Sequence, residues 1–268
     1  MSSPAPIHQV THIDDPRVLP FSKVRDRDLK RCDGLFLGEG PLTVERMLEN
    51  PGVTQSILVA ERWKDRFSAA SLAGVEVNFA SEAFMGDLIG FPFHRGVMAA
   101  GRRDVYEGKT LNDILETQNE SATLLLVDGV TNVDNIGLLF RNAAAFGCSG
   151  VVLSQQCCDP LYRKALRVSL GHVLSLPWCA VADWTETLDV VKESEFMIVA
   201  AALSEGAMDV DTLERNPRLA LVVGQEAHGV SSATLNACDQ VVKIPMADGV
   251  DSLNVAAASA VCLHVLRI

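Results

Sequence analysis

The chain has 268 residues, 48% of them hydrophobic, and a formal net charge of −11. That is ample apolar material for the core of one large domain or two smaller ones. The acidic balance excludes broad, non-specific binding to polyanions, because no excess of cations is present to neutralise phosphates.

No run approaches the roughly 18 uninterrupted apolar residues of a membrane span. The opening MSSPAPIHQVTHIDD lacks the basic-then-apolar order of a secretory signal, so a cytoplasmic protein without membrane association is expected. The seven cysteines (Cys32, Cys148, Cys157, Cys158, Cys179, Cys238 and Cys262) form no CxxC pair, which predicts reduced, mostly buried thiols. There is no HExxH and no zinc-like histidine pair, so no metal is expected.

Residues 1–20 hold Pro4, Pro6, Pro16 and Pro20 without a clear period and read as an extended or partly ordered arm, with ordered structure starting near Val24. The basic cluster Lys23, Arg25, Arg27, Lys30 and Arg31 is diluted by Asp26 and Asp28 and reads as a solvated, salt-bridged face. GLFLGEGPLTVERML, from Gly34 to Leu48, predicts a strand, a tight turn and a helix opened by Pro41, stopped by Asn50-Pro51-Gly52. QSILVAE predicts a strand, Phe67 to Ala70 a short helix, Gly74 to Val77 another strand, Ser81 the start of a helix, and Val97 to Ala100 a closing strand. The pattern is a small α/β domain over 21–104, followed by a polar linker over 105–121.

From 122 to 268 the pattern changes to long apolar strands. TLLLVDGV reads as a strand buried on both faces of a parallel sheet. A polar turn, a helix closed near Gly147 and the strand GVVLS complete a right-handed βαβ unit. Asp159 to Leu170 reads as a helix with Arg163, Lys164 and Arg167, Leu174 to Pro177 as a short strand, Thr185 to Glu193 as a helix, and FMIVAA as a buried strand. LALVVG then runs into the loop QEAHG, a second strand ends in Ile244-Pro245-Met246, and Asp251-Ser252-Leu253-Asn254 leads into an alanine-rich helix. Loops leaving the carboxyl ends of buried parallel strands are where open α/β sheets bind ligands.

Neither GxxxxGK[ST] nor GxGxxG after a strand occurs, which removes the main support for nucleoside-triphosphate and dinucleotide binding. Three polar groups remain. Asn135, Gly137 and Arg141 share a helix whose apolar neighbours predict a snug setting for Arg141, so that its charge requires a partner, with Glu226 the carboxylate proposed. Gly224 and Gly229 bracket Glu226 in a loop suited to folding tightly over a ligand. Ser252 is placed as an N-cap of the last helix, where cap and ligand site can coincide.

In order and spacing, Asn135-x-Gly137-x-x-x-Arg141, Gly224-x-Glu226-x-x-Gly229, and Ile244-Pro245-Met246 with Ser252-Leu253-Asn254-Val255 resemble the three signature motifs of the SpoU (TrmH-like) RNA 2′-O-ribose methyltransferases. Arg167 to Gly171 and Leu176-Pro177 resemble that family's connecting pattern, and the likeness covers about 122–268. Phe36 to Gly40, with Val44 and Leu48, resembles more loosely the small substrate-binding domain that precedes the catalytic domain in many members. Two departures stand out. Val133-Asp134 stands where an Asp-Pro pair is common, and Ala227-His228 where small or acidic residues are usual.

The resemblance implies an α/β fold whose C-terminal parallel sheet is threaded into a deep trefoil knot of the SPOUT type, preceded by a small α/β domain. It implies S-adenosylmethionine held in the knot, an rRNA or tRNA substrate methylated on a ribose 2′-hydroxyl, and a homodimer. Arg141 would activate the hydroxyl, with Asn135, Glu226, Ser252 and Asn254 beside it. Val223, Gly224, Glu226, Gly229, Ile244, Met246, Leu253 and Asn254 would surround the cofactor. Because arginine stays protonated, electrostatic stabilisation of the forming alkoxide is the physically preferred form of its role. A non-catalytic RNA-binding or ribosome-assembly factor on the same scaffold is the alternative, and a generic α/β nucleotide-binding enzyme a third reading.

Overall fold

The computed structural model describes residues 5–22, 25–225, 228–250 and 252–267. The chain divides into two compact units: Met1–Glu107 with Leu161–Ser175, and Gly108–Pro160 with Leu176–Ile268.

The first unit contains β1 (Ile7–Gln9), α1 (Asp26–Asp33), β2 (Leu35–Glu39), α2 (Pro41–Glu49), β3 (Thr54–Ala60), α3 (Lys64–Phe67), β4 (Glu76–Ala80), α4 (Glu82–Ile89) and β5 (Val97–Arg102). Its strands form one mixed sheet in the order β1-β4-β3-β5-β2, parallel at the β1-β4 and β4-β3 pairs and antiparallel at β5. Local chemistry sets the helix starts. Pro41 fixes the first turn of α2, and the Ser81 hydroxyl accepts the Phe84 N–H at the start of α4.

The N-terminal stretch corrects the extended-arm reading. Ile7–Gln9 pairs with Val77–Phe79, and Pro16–Phe21 forms a 3-10 helix whose Val18 and Phe21 are wholly buried in the unit's core. The prolines set an irregular path, but the apolar residues between them are anchored. Val18→Ala is therefore expected to cost about 2 kcal/mol, read as a lower denaturant midpoint. The short strand predicted at Gly74 to Val77 starts two residues later, at Glu76.

The second unit opens on α5 (Leu111–Leu115), β6 (Ala122–Asp128), α6 (Val133–Ala145) and β7 (Gly150–Ser154). The chain then passes through α7 (Arg163–Val168), which belongs to the first unit. There Arg163 pairs with Asp26 at 3.0 Å, Arg167 with the buried Glu39 at 3.3 Å, and the Arg46 guanidinium donates to the Leu170 carbonyl. Burial raises the Asp26 carboxyl above its ordinary pKa despite the arginine beside it.

The second unit resumes with β8 (Trp178–Val181), α8 (Trp184–Glu193), β9 (Met197–Ala201), β10 (Met208–Asp209), β11 (Arg218–Gly224), α9 (Ser232–Ala237), β12 (Gln240–Lys243) and α10 (Val255–Val265). Two predicted strands shift. His172–Leu174 is a 3-10 turn and the strand begins at Trp178, while β12 stops at Lys243, so Ile244-Pro245-Met246 lies in the loop that follows. The second shift has a simple cause, since Pro245 has no N–H to give to a ladder.

The seven strands form a wholly parallel sheet in the order β10-β12-β9-β11-β6-β7-β8. β6 and β11, at its centre, are buried at nearly every position, as their unbroken apolar runs require. Cys148, Cys179 and Cys262 are buried free thiols, and burial pushes those of Cys148 and Cys179 up to about 12. No helix among the described residues is long and apolar enough to cross a membrane.

Candidate active site

Parallel strands deliver their following loops to one edge. Asp128 and Gly224 end β6 and β11 side by side in register, β9 ends at Ala201 and β12 at Lys243. The three polar groups singled out in the sequence leave this edge.

The first group is on α6. The Asn132 side chain caps the helix by accepting from the N–H groups of Asp134 and Asn135 at 2.8 and 3.3 Å. Asn135, Ile136, Gly137, Leu139, Phe140 and Ala143 are buried along one face. Arg141 falls on the other face and is exposed, which corrects the snug setting expected for it. Its buried neighbours Leu139, Phe140 and Ala143 lie one or two residues away and face elsewhere, while Leu138, Ala144 and Ala145, which share its side, are themselves not buried. Glu226, the proposed partner, lies outside the described residues, as does Ala227.

The second group is the turn after β11. Val223 is buried, and a Cβ placed on Gly224 would come within 2.2 Å of the Gly229 carbonyl and 2.3 Å of the Val230 nitrogen. Gly229 sits at φ +68°, its N–H donates to the Gln225 carbonyl at 2.9 Å, and Gln225 and Gly229 form an isolated bridge. The backbone therefore closes over Gly224, and only glycine leaves room for it. Gly224→Ala is expected to cost about 2 kcal/mol by forcing backbone apart, read in thermal unfolding. His228 is exposed.

The third group precedes α10. Ser252 is exposed and is not the cap; that place belongs to Asn254, whose Oδ1 accepts from the N–H groups of Ala256 and Ala257 at 2.9 and 3.3 Å. With its oxygen so engaged, the Asn254 amide turns Nδ2 to the buried Asn135 and donates to Oδ1 at 3.0 Å. This bond joins the first group to the third across 119 residues. Ile244 and Met246 are half-buried and Leu253 is exposed in the connecting loop.

A second tie was missed from the sequence. Asn142 Nδ2 donates to the Ala256 carbonyl at 2.7 Å and to the Ser259 hydroxyl at 2.9 Å. The available signal was its spacing: Asn142 lies seven residues after Asn135, two turns along the same side of the helix. Among the described residues, no group of three or more His, Cys, Asp or Glu side chains could hold a metal ion.

Together these features define an α/β protein in which a tight glycine turn, an asparagine pair and the helix bearing an exposed arginine follow the carboxyl ends of a parallel sheet, the edge at which open α/β sheets bind ligands. The chain belongs to the SpoU rRNA Methylase family, whose model matches residues 122–264. It is 36% identical over 267 residues to an uncharacterised tRNA/rRNA methyltransferase of Mycobacterium tuberculosis (strain ATCC 25618 / H37Rv), covering 96% of this chain and 91% of the relative. It is 34% identical over 193 residues to the 23S rRNA (guanosine-2′-O-)-methyltransferase RlmB of Acinetobacter baylyi, covering 71% and 77%. In fold it matches the crystal structure of an AdoMet-bound rRNA methyltransferase from Sinorhizobium meliloti, with a TM-score of 0.84 at 22% identity and 97% of each chain covered.

Proposed function

We propose that this protein methylates a ribose 2′-hydroxyl of rRNA or tRNA, with S-adenosylmethionine as donor, and that its site is the carboxyl edge built from Asn135, Arg141, Gly224 and Asn254. The observation that carries this assignment is the Asn254–Asn135 hydrogen bond, which holds two of the three motif segments together at the carboxyl edge from which the tight turn over Gly224 also leaves. The guanosine named for the RlmB relatives makes a guanosine ribose in 23S rRNA the first substrate to try.

The residues present fit the cofactor. Gly224 lets the Gly229–Val230 backbone fold tightly back on the end of β11, which shapes the turn there, and Leu203, Val250 and Leu253 offer exposed apolar side chains in the loops after β9 and β12. Val223, Gly224, Gly229, Ile244, Met246, Leu253 and Asn254 would hold it, mostly through backbone and apolar contact. When bound, S-adenosylmethionine supplies an electrophilic methyl group on a sulfonium.

The chain's own task is to make a poor nucleophile competent and to align it. Arg141, exposed on α6, presents a planar cation to the incoming ribose and stabilises the negative charge that grows on the 2′-oxygen as its proton passes to solvent water. Asn135 and Asn254 fix the start of α6 against the start of α10, and Glu226 and Ser252 order the arginine and the substrate.

The same reading makes the first unit the substrate-binding domain and gives the second the deep trefoil knot, a rare exception to the general absence of knots. It also makes the active form a cytoplasmic homodimer. Val261 and Val265, exposed on α10, are the apolar surface that supports dimerisation.

The test is to map 2′-O-methyl positions in rRNA and tRNA with the gene present and deleted, then restore the lost position with purified protein and S-adenosylmethionine. Loss and restoration of one ribose methyl are expected. RNA binding with no methyl gained would instead establish the non-catalytic assembly factor.

A further inference from the structure

We infer that Asp128, at the end of β6, is a positioning residue that sets the turn over Gly224 and thereby the cofactor cradle; this rests on the methyltransferase reading above. The rest of β6, Ala122 to Val127, is buried and, apart from Thr123, apolar, so a carboxylate at its last position is a departure that the strand itself does not require. The register places Asp128 directly beside Gly224.

One oxygen of Asp128, Oδ2, accepts twice: from the Ser231 N–H at 3.1 Å and from the Thr234 hydroxyl at 2.8 Å. Ser231 follows Gly229 and Val230, whose backbone closes over Gly224.

The proton directions in this cluster can be assigned. The indole of Trp184 is a donor only and reaches the Thr234 hydroxyl at 2.9 Å. Thr234 is wholly buried, and its one hydroxyl proton goes to Asp128. The Ser231 hydroxyl, 2.7 Å away, accepts from the Thr234 N–H and gives its proton to the Thr234 oxygen. Every donor in the cluster thus ends, directly or through Thr234, on the Asp128 carboxylate. This holds the segment from Gly229 to Ser231 against the end of β6.

A plain folding staple would use the same bonds, but the place of this one separates the two roles. There is no room between Gly224 and the Gly229 carbonyl for even one Cβ, so a shift of Gly229 to Ser231 passes straight to the end of β11, from which the cofactor-binding turn leaves in this reading. A neutral oxygen could accept from both donors, but only a carboxylate makes both bonds charge-assisted and brings no proton of its own that needs an acceptor.

The test compares wild type with Asp128→Ala and Asp128→Asn by calorimetric binding of S-adenosylmethionine, steady-state kinetics and hydrogen exchange. Asp128→Ala is expected to raise Kd and KM for S-adenosylmethionine about ten- to a hundredfold, the size of losing charge-assisted hydrogen bonds. The kcat at saturation should stay within about threefold, since the reacting groups are untouched. Exchange at the Gly229 to Ser231 amides should accelerate. Asp128→Asn keeps one acceptor oxygen, should recover part of each effect, and decides the matter if the alanine variant does not fold.

Unchanged exchange at those amides, or a Kd within about twofold of wild type, overturns the inference. If wild type itself fails to bind S-adenosylmethionine, the methyltransferase reading falls, and the exchange comparison still decides whether Asp128 pins the turn.

Discussion

Arg141→Ala is expected to lower methyl transfer by about two to three orders of magnitude, the usual loss when one preorganised electrostatic stabiliser is removed. Thermal unfolding should not move. Arg141 is exposed and, among the described residues, bonded to none, so its removal leaves no cavity and no stranded partner there; such surface changes usually stay within about 0.5 kcal/mol. Arg141→Lys keeps the charge but loses the planar fork of donors and should fall between the two. Transfer of a labelled methyl group into rRNA, measured beside a melting curve, reads both quantities. An alanine variant that retains full activity would remove Arg141 from the proposed mechanism.

The second large effect is expected at Asn254, which does two jobs with one amide. Its oxygen caps α10 and its nitrogen reaches Asn135. Asn254→Ala should lose the cap, worth about 1 kcal/mol, and the hydrogen bond to the buried Asn135, worth about another 1 kcal/mol. Asn254→Asp separates the two jobs, because it keeps the cap but turns an oxygen toward an oxygen. It should preserve the helix, lose the tie between α6 and α10, and lose methyl transfer out of proportion to stability. Denaturant midpoints against turnover of the same preparations distinguish the outcomes.

Most strands and helices were legible because their signals are local and periodic, whereas the division was not: Leu161–Ser175, read as part of a domain over 122–268, belongs to the first unit, and the stretch read as a linker over 105–121 carries the helix Leu111–Leu115. The apolar runs at 122–128 and 218–224 announce strands buried on both faces, and Pro41 and Ser81 announce helix starts. The choice between Ser252 and Asn254 as cap was not legible. Both residue types cap well, and what distinguishes them is a partner 119 residues away. The setting of Arg141 was misread for a related reason: the buried apolar residues beside it in the sequence occupy other faces of the helix. Asn142 and Asp128 likewise looked like ordinary polar residues, since their partners, Ala256 and Ser259 for one and Ser231 and Thr234 for the other, are more than 100 positions further on. The N-terminal prolines concealed the burial of Val18 and Phe21, because proline reports on the path of the backbone and not on what its neighbours bury.

The excursion of Leu161 to Ser175 into the first unit bears on how the protein is made. A ribosome releases Met1 to Glu107 long before it has joined the residues that complete that unit. Until Ser175 has emerged, Glu39 lacks Arg167, Asp26 lacks Arg163, and β2 lacks the helix that covers it. The first unit thus cannot finish folding when residue 107 emerges, but only after a further stretch that includes the opening of the second. A fragment ending near the apparent boundary at Glu107 would stay in the nascent chain's unfinished state and be prone to aggregate, whereas a chain released after Ser175 carries everything its first unit needs.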